Sequence, residues 1–174
     1  MKPSYYFVWV GIIILTSVQC TGQKTGHVVN EDFDKRIHSL LQFSIPVISV
    51  EEAYSKQGEI VFLDAREKEE YTISHINNAI YVGYTKPDLT ALEALEKDTP
   101  IVVYCSVGYR SEKVGELLKD RGYTDVRNLY GSLFEWTNRD LPIVDKEGTP
   151  TDSIHTYNAR WSKWVENKKI VKVY

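Results

Sequence analysis

The chain has 174 residues, of which 43% are hydrophobic, so it can hold one medium-sized domain together with terminal segments. Its formal net charge of −3 offers no basic surface, which excludes nucleic acid as an expected partner. The two cysteines, Cys20 and Cys105, lie in different parts of the chain, so we expect no disulfide framework. The four histidines are scattered singly, and this pattern predicts neither a metal site nor another cofactor.

The first 20 residues have the pattern of an export signal. Lys2 supplies a positive charge, and an uncharged, mostly apolar run extends from Tyr5 to Val18. This run is shorter than the roughly 20 residues of a membrane-spanning helix. Cys20 follows it directly, which resembles the lipobox of bacterial lipoproteins, where such a cysteine is diacylated and becomes the mature N-terminus. Ser17 and Gln19 depart from the residues usual in a lipobox.

Two alternatives to lipidation of Cys20 remain open, namely secretion with cleavage near Gly22 and an uncleaved anchor. All three predict a location outside the cytoplasm, in the bacterial periplasm or anchored to the outer membrane through Cys20. The membrane is then a partner only through the lipid anchor. The polar segment 21–31 is the expected tether.

Short β-branched runs and helical patterns alternate between residues 32 and 142. Helices or helical turns are predicted at 32–43, 51–56, 67–71, 89–97, 111–121 and 132–139, with Asp32 as the N-cap of the first. Strands are predicted at 46–50, 60–64, 79–82, 101–104 and 126–130. This alternation predicts an α/β domain over residues 32–142, with a parallel sheet of about five strands flanked by helices.

Residues 143–174 differ in character and are expected to form a C-terminal extension that packs on the domain. Ile154, Tyr157, Trp161 and Trp164 fall at helical spacing, which predicts an added C-terminal helix with an aromatic stripe. A docking surface for a protein partner is the alternative interpretation of this stripe.

Cys105 follows the apolar strand 101–104 and precedes a short loop and a helix-forming segment. This order places the thiol at the carboxyl end of a strand, where ligands bind in open parallel sheets, and opposite a helix N-terminus. Unpaired backbone N–H groups and the positive end of the helix dipole would favour the thiolate there. Gly108 lets the loop curl around the sulfur, and Arg110 adds a cation. An inert buried cysteine is the alternative.

Four segments carry a family resemblance, in the order in which the family has them. They are Leu63-Asp-Ala-Arg66 with Glu70-Tyr71, Ser74-His-Ile-Asn-Asn-Ala-Ile80, Cys105-Ser-Val-Gly-Tyr-Arg-Ser111 and Tyr130-Gly-Ser-Leu-Phe-Glu-Trp136. Together they resemble the motifs of rhodanese domains of the single-domain sulfurtransferase type. Ser74 and Ser132 stand where the family has glycine, and we expect both to lie away from the nucleophile.

The resemblance implies transfer of a sulfane sulfur through a persulfide on the catalytic Cys105. The implied donor is thiosulfate or a persulfide, and the implied acceptor is cyanide, a thiol or a protein docked on the C-terminal tail. The implied substrate-binding loop consists of Ser106, Val107, Gly108, Tyr109, Arg110 and Ser111. Arg110 either contacts an anionic donor or braces the loop.

Outside the loop, the residues of the other motifs are interpreted as structural. Asp64, Arg66 and Glu70 are expected to form a network below the loop, His75 to be a hydrogen-bonded scaffold residue and Trp136 to lie in the core.

Two other functions compete with sulfur transfer. A phosphatase loop also surrounds a cysteine thiolate with amides but requires Cys-x5-Arg, whereas here Ser111 occupies that position and Arg110 comes one residue early. The loop is thus too short for a phosphate. A non-catalytic binding or sensing module is the remaining alternative, although such modules typically lack the active cysteine, which this chain retains.

Overall fold

The structure, a computed structural model, describes residues 28–174. The predicted signal segment, Cys20 and most of the predicted tether lie outside the described residues. Within the described part, no helix is long and apolar enough to span a bilayer.

The described residues form seven strands and six α-helices. The strands are β1 (Val47–Ile48), β2 (Val61–Asp64), β3 (Ile80–Tyr81), β4 (Ile101–Tyr104), β5 (Val126–Leu129), β6 (Ser153–His155) and β7 (Val171–Val173). The helices are α1 (Glu31–His38), α2 (Val50–Ser55), α3 (Lys68–Ile73), α4 (Tyr109–Asp120), α5 (Ser132–Asn138) and α6 (Ala159–Ser162).

The first five strands form one parallel sheet in the order β1-β5-β4-β2-β3, which confirms the predicted α/β architecture. The central strand β4 is buried at all four positions, as its unbroken apolar sequence requires in a sheet covered on both faces. The register places Asp64 beside Tyr104 and Val103 beside Asn128. The carboxyl ends of β2, β4 and β5 therefore meet around the residue that follows β4, which is Cys105.

The first helix is shorter than predicted and has a different cap. Asn30, rather than Asp32, is the N-cap, and its side chain accepts a hydrogen bond from the Phe33 N–H. The helix ends at His38, and Leu41 reaches the core from the turn that follows.

The prediction of a helix at 89–97 is wrong, because the helical part of this segment is a single 3₁₀ turn at Thr90–Leu92. The Asp88 carboxylate accepts hydrogen bonds from the N–H and the hydroxyl of Thr90, and this starts a succession of i→i+3 turns. These turns still bury Leu89 and Leu92, so the apolar spacing reflects burial without a regular helix.

The C-terminal helix predicted from the aromatic spacing does not form over that span. Ile154 lies in β6, which pairs in parallel with β7, and only Ala159–Ser162 is helical. Tyr157 has φ +66°, a left-handed conformation that interrupts any continuous helix. The aromatic residues nevertheless pack on the domain, where Trp164 stacks on Phe33 with ring centroids 5.3 Å apart. Ile154 is fully buried in the same core.

Candidate functional site

Cys105 lies at the start of the loop that joins β4 to α4, and its side chain is buried. The backbone N–H of Gly108 donates to Cys105 Sγ at 3.1 Å, and the hydroxyl oxygen of Ser111 lies 3.6 Å from the same sulfur. Gly108 has φ +122°, a conformation that residues with a side chain rarely adopt. This backbone turn is what directs the Gly108 N–H at the sulfur.

The surroundings of Cys105 favour its thiolate. Burial alone would raise the pKa of the thiol, but the positive charge of Arg110 and the hydrogen bonds from Ser111 and Gly108 outweigh burial and lower it. A buried thiol with a lowered pKa is a nucleophile that needs no separate general base.

Arg110 is held by a carboxylate from another part of the fold. Its Nη1 and Nη2 donate to the two carboxylate oxygens of Glu70 at 2.6 and 2.9 Å, and Nη2 also donates to Ser106 Oγ at 3.0 Å. The Ser106 hydroxyl in turn donates to Glu70 at 3.1 Å. These contacts brace the loop, so of the two roles left open for Arg110 the geometry supports bracing.

The pKa of Glu70 reflects this ion pair. Burial opposes its ionisation, but the hydrogen bond and charge of Arg110, with a further contribution from Arg66, lower the pKa from 4.5 to about 2. Glu70 is the third residue of α3 and contacts the loop directly. The sequence had predicted that it would lie in a network below the loop.

Asn128, in β5, is a loop contact that the sequence analysis missed. Its Nδ2 donates to the carbonyl of Gly108 at 2.9 Å, and its Oδ1 lies 2.7 Å from Ser111 Oγ. The asparagine thus fixes the two residues that contact the Cys105 sulfur. An asparagine between the apolar residues Val126 and Leu129, at a position buried in a parallel strand, was the signal that could have identified it.

The expectation that Ser132 lies away from the nucleophile is wrong, because Ser132 contacts Cys105. Its hydroxyl accepts a hydrogen bond from the Cys105 N–H at 3.2 Å and donates to the carbonyl of Leu129. Since β4 and β5 are neighbours, the first residue of α5 comes against the residue after β4. Ser132 has φ +52°, a backbone conformation more common for glycine. Ser74 is also buried, but it contacts Arg66 through its carbonyl.

The other motif residues lie in the supporting structure. Asp64 and Arg66 form a fully buried ion pair, with Arg66 Nη2 2.7 Å from an Asp64 carboxylate oxygen. His75 Nδ1 lies 3.0 Å from the carbonyl of Tyr71, and the two rings stack with centroids 3.9 Å apart. Trp136 is buried in the core. These positions fit the interpretation of the residues as structural.

A cavity of about 540 Å³ opens over the loop. Cys105, Ser106, Val107, Tyr109 and Arg110 line it, which brings five of the seven residues predicted for the site to one surface. Gly108 and Ser111 support the sulfur from below this surface without lining the cavity.

Comparisons with known proteins place this loop in a family context. The family model described as "Rhodanese-like domain" matches residues 49–139. The thiosulfate sulfurtransferase GlpE of Coxiella burnetii is 32% identical over 81 residues, which are 47% of this chain and 75% of that protein. The putative sulfur carrier protein YrkF of Bacillus subtilis is 32% identical over 99 residues, covering 55% of this chain and 53% of that protein.

A solved structure with the same fold is that of a rhodanese-related protein from Thermoplasma volcanium. It is 26% identical, with a TM-score of 0.51, and the match covers 57% of this chain and 98% of that one. The match therefore spans nearly all of that protein but little more than half of this chain.

Proposed function

Because the chain belongs to the rhodanese-like domain family, we propose that it is a sulfurtransferase. It would move a sulfane sulfur from thiosulfate or a persulfide donor to a thiophilic acceptor such as cyanide or a thiol. The observation that carries this proposal is the Cys105 sulfur, buried beside the Gly108 N–H and the Ser111 hydroxyl and with a lowered pKa.

The proposed reaction has two steps at one sulfur atom. In the first, the Cys105 thiolate attacks the outer sulfur of the donor, the S–S bond of the donor breaks, and sulfite or a thiolate leaves. In the second, the acceptor attacks the outer sulfur of the Cys105 persulfide and the Cys105 thiolate leaves again. No electrons are gained or lost overall. Preorganised N–H groups such as that of Gly108 stabilise negative charge on sulfur in both steps.

The test is intact-mass spectrometry of the purified protein after exposure to thiosulfate or a persulfide, then to cyanide. We expect a gain of about 32 Da, one sulfur atom held covalently, followed by its loss with release of thiocyanate. The Cys105→Ser variant is the matched control and should gain nothing. Absence of an adduct with either donor would contradict the proposal and favour a non-catalytic binding module.

The location outside the cytoplasm is also part of the proposal, and the sequence of residues 1–20 supports it. Lipidation of Cys20 would give the mature protein an added mass that the Cys20→Ala variant lacks. Growth with a labelled fatty acid and recovery of the protein from the membrane fraction distinguish lipidation from simple secretion. A soluble, unlabelled mature protein would contradict the anchor.

A further inference from the structure

Two aromatic residues of the C-terminal segment, Tyr157 and Trp161, line the cavity that contains Cys105. Neither lies within residues 49–139, which the family model matches. This aromatic wall therefore lies outside the part of the chain that the family model matches, and it is placed where a sulfur donor or acceptor must pass.

The aromatic wall is held in a fixed position. Tyr157 keeps its left-handed backbone at φ +66°, and the neighbouring Asn158 side chain accepts hydrogen bonds from the N–H groups of Arg160 and Trp161. On the other side, the Thr156 N–H donates to the carbonyl of Val173 at 2.8 Å. A strained residue fixed by its neighbours is characteristic of ligand-contacting positions.

The charges of the described residues around the cavity offer no free cation to a carboxylate or sulfonate on an acceptor. Among the described residues that line the cavity, Arg110 is the one cation, and both its terminal nitrogens already bind Glu70. Glu67 adds a negative charge to the lining. A carboxylate or sulfonate next to the acceptor sulfur would therefore meet no cation free of a carboxylate partner on this surface.

The size of the cavity indicates a larger ligand. Its volume of about 540 Å³ lies within the range of roughly 300–1,000 Å³ typical of sites for organic molecules. Besides Tyr157 and Trp161, the rings of Tyr84 and Tyr109 and the side chain of Leu40 line it. A small acceptor such as cyanide would leave most of these apolar surfaces without contact.

We propose that the sulfur acceptor is an organic thiol with an aromatic or aliphatic group next to its sulfur and no carboxylate or sulfonate there. This inference rests on the proposed sulfurtransferase function. The acceptor thiolate attacks the outer sulfur of the protonated Cys105 persulfide, the bond between the two sulfurs of that persulfide breaks, and Cys105 leaves as the thiolate. The proton remains on the transferred sulfur of the organic persulfide product. Tyr157 and Trp161 contact the organic group and determine specificity.

The test measures discharge of the Cys105 persulfide in a single turnover. The purified protein is loaded with sulfur and freed of donor, then mixed with benzyl mercaptan, thioglycolate or cyanide, at equal thiolate concentrations for the two thiols. Mass spectrometry follows the loss of the adduct of about 32 Da, which is the mass of one sulfur atom. We expect benzyl mercaptan to discharge the persulfide about tenfold faster than thioglycolate. The benzyl ring contacts the aromatic wall, whereas the carboxylate of thioglycolate is repelled by the negative charge of Glu67.

Two variants and a control separate the aromatic wall from general effects. Tyr157→Ala removes a ring that is 59% exposed, and it should lower the rate ratio of benzyl mercaptan to thioglycolate about fivefold. Trp161→Ala should lower the ratio in the same direction. Tyr174→Ala removes a tyrosine that is 70% exposed and outside the cavity lining, and it should leave the ratio unchanged.

The outcomes separate this inference from the proposed function. Equal rates for the two thiols, or a ratio that Tyr157→Ala leaves unchanged, would overturn the inference while cyanide still discharged the persulfide. A protein thiol would then be the acceptor to test. Failure of every donor to load Cys105 would overturn the proposed function itself.

Discussion

The ion pair between Glu70 and Arg110 gives a quantitative prediction for the Glu70→Gln variant. Glu70 is 2% exposed and Arg110 14% exposed, so the pair is little screened by solvent. The pKa of Glu70 lies at about 2 in the folded protein against an ordinary value of 4.5. A separation of about 2.5 pKa units, at about 1.4 kcal/mol each, makes ionised Glu70 worth about 3 kcal/mol of folding free energy at pH 7.

The pH dependence of this contribution has a definite sign. Because the folded pKa of Glu70 is depressed, the contribution is complete above about pH 5 and is lost as the pH falls from 4.5 through about 2. At pH 3 about 1.4 kcal/mol should remain. The Glu70→Gln variant lacks the titrating group, so its deficit relative to the wild type should shrink between pH 7 and pH 3.

Urea denaturation at both pH values, followed by tryptophan fluorescence, measures the two differences in unfolding free energy. The matched control is Glu69→Gln, an exposed residue on the same turn of α3, which should change the free energy by less than about 0.5 kcal/mol. A Glu70→Gln deficit below about 1 kcal/mol at pH 7, or one that stays the same at pH 3, would refute the assignment of the stability to this pair.

Three further predictions concern the residues around the sulfur. Arg110→Gln removes the nearest cation, so the pKa of Cys105 should rise and alkylation by iodoacetamide at pH 7 should slow several-fold; an unchanged rate would contradict the role of Arg110 in ionisation. Asn128→Ala removes the hydrogen bonds that the buried amide makes with the Gly108 carbonyl and the Ser111 hydroxyl and should cost about 1–2 kcal/mol in urea denaturation, whereas an effect under about 0.5 kcal/mol would argue against the importance of these bonds. Ser132→Gly should be more stable than Ser132→Ala by about 1 kcal/mol in the same assay, because both lose the bond to Cys105 but only glycine fits φ +52° without strain; the reverse order would contradict the strain argument.

The sequence was sufficient to predict the elements whose signals are local. A β-branched run followed by a glycine-containing loop and a helix-forming segment predicted β4, the loop after Cys105 and α4. The alternation of strand-like runs with helical patterns predicted the five-stranded parallel sheet. Both signals depend on residues only a few positions apart, where propensity and burial act together.

The errors arose where apolar spacing had more than one structural solution. Leu89 and Leu92 bury their side chains from consecutive turns, and Ile154 does so from a strand. Trp161 and Trp164 are partly buried and pack against the core from a short helix and the turn after it. Spacing alone does not distinguish these solutions from a regular helix. Local polar contacts, such as the Asp88 carboxylate at Thr90, decided between them.

The missed contacts have a different cause, which is sheet register. Asn128 and Ser132 are 17 and 27 residues from their respective partners Ser111 and Cys105. They reach the loop only because β5 pairs beside β4 with Val103 opposite Asn128. Register between parallel strands is set by tertiary packing, and an individual strand sequence does not encode it.

In the proposed sulfur transfer, the bracing of Arg110 means that recognition of the donor and acceptor must depend on other residues. Arg110 is the cation nearest the sulfur, but its hydrogen bonds are directed at Glu70 and Ser106. Releasing Arg110 to bind an anionic substrate would leave the buried Glu70 carboxylate without its partner, at a cost comparable to the ion pair itself. In the proposed reaction, Arg110 can therefore stabilise charge on sulfur but contributes little to distinguishing one substrate from another. That task falls to the side chains that line the rest of the cavity, among which Tyr157 and Trp161 come from the C-terminal segment.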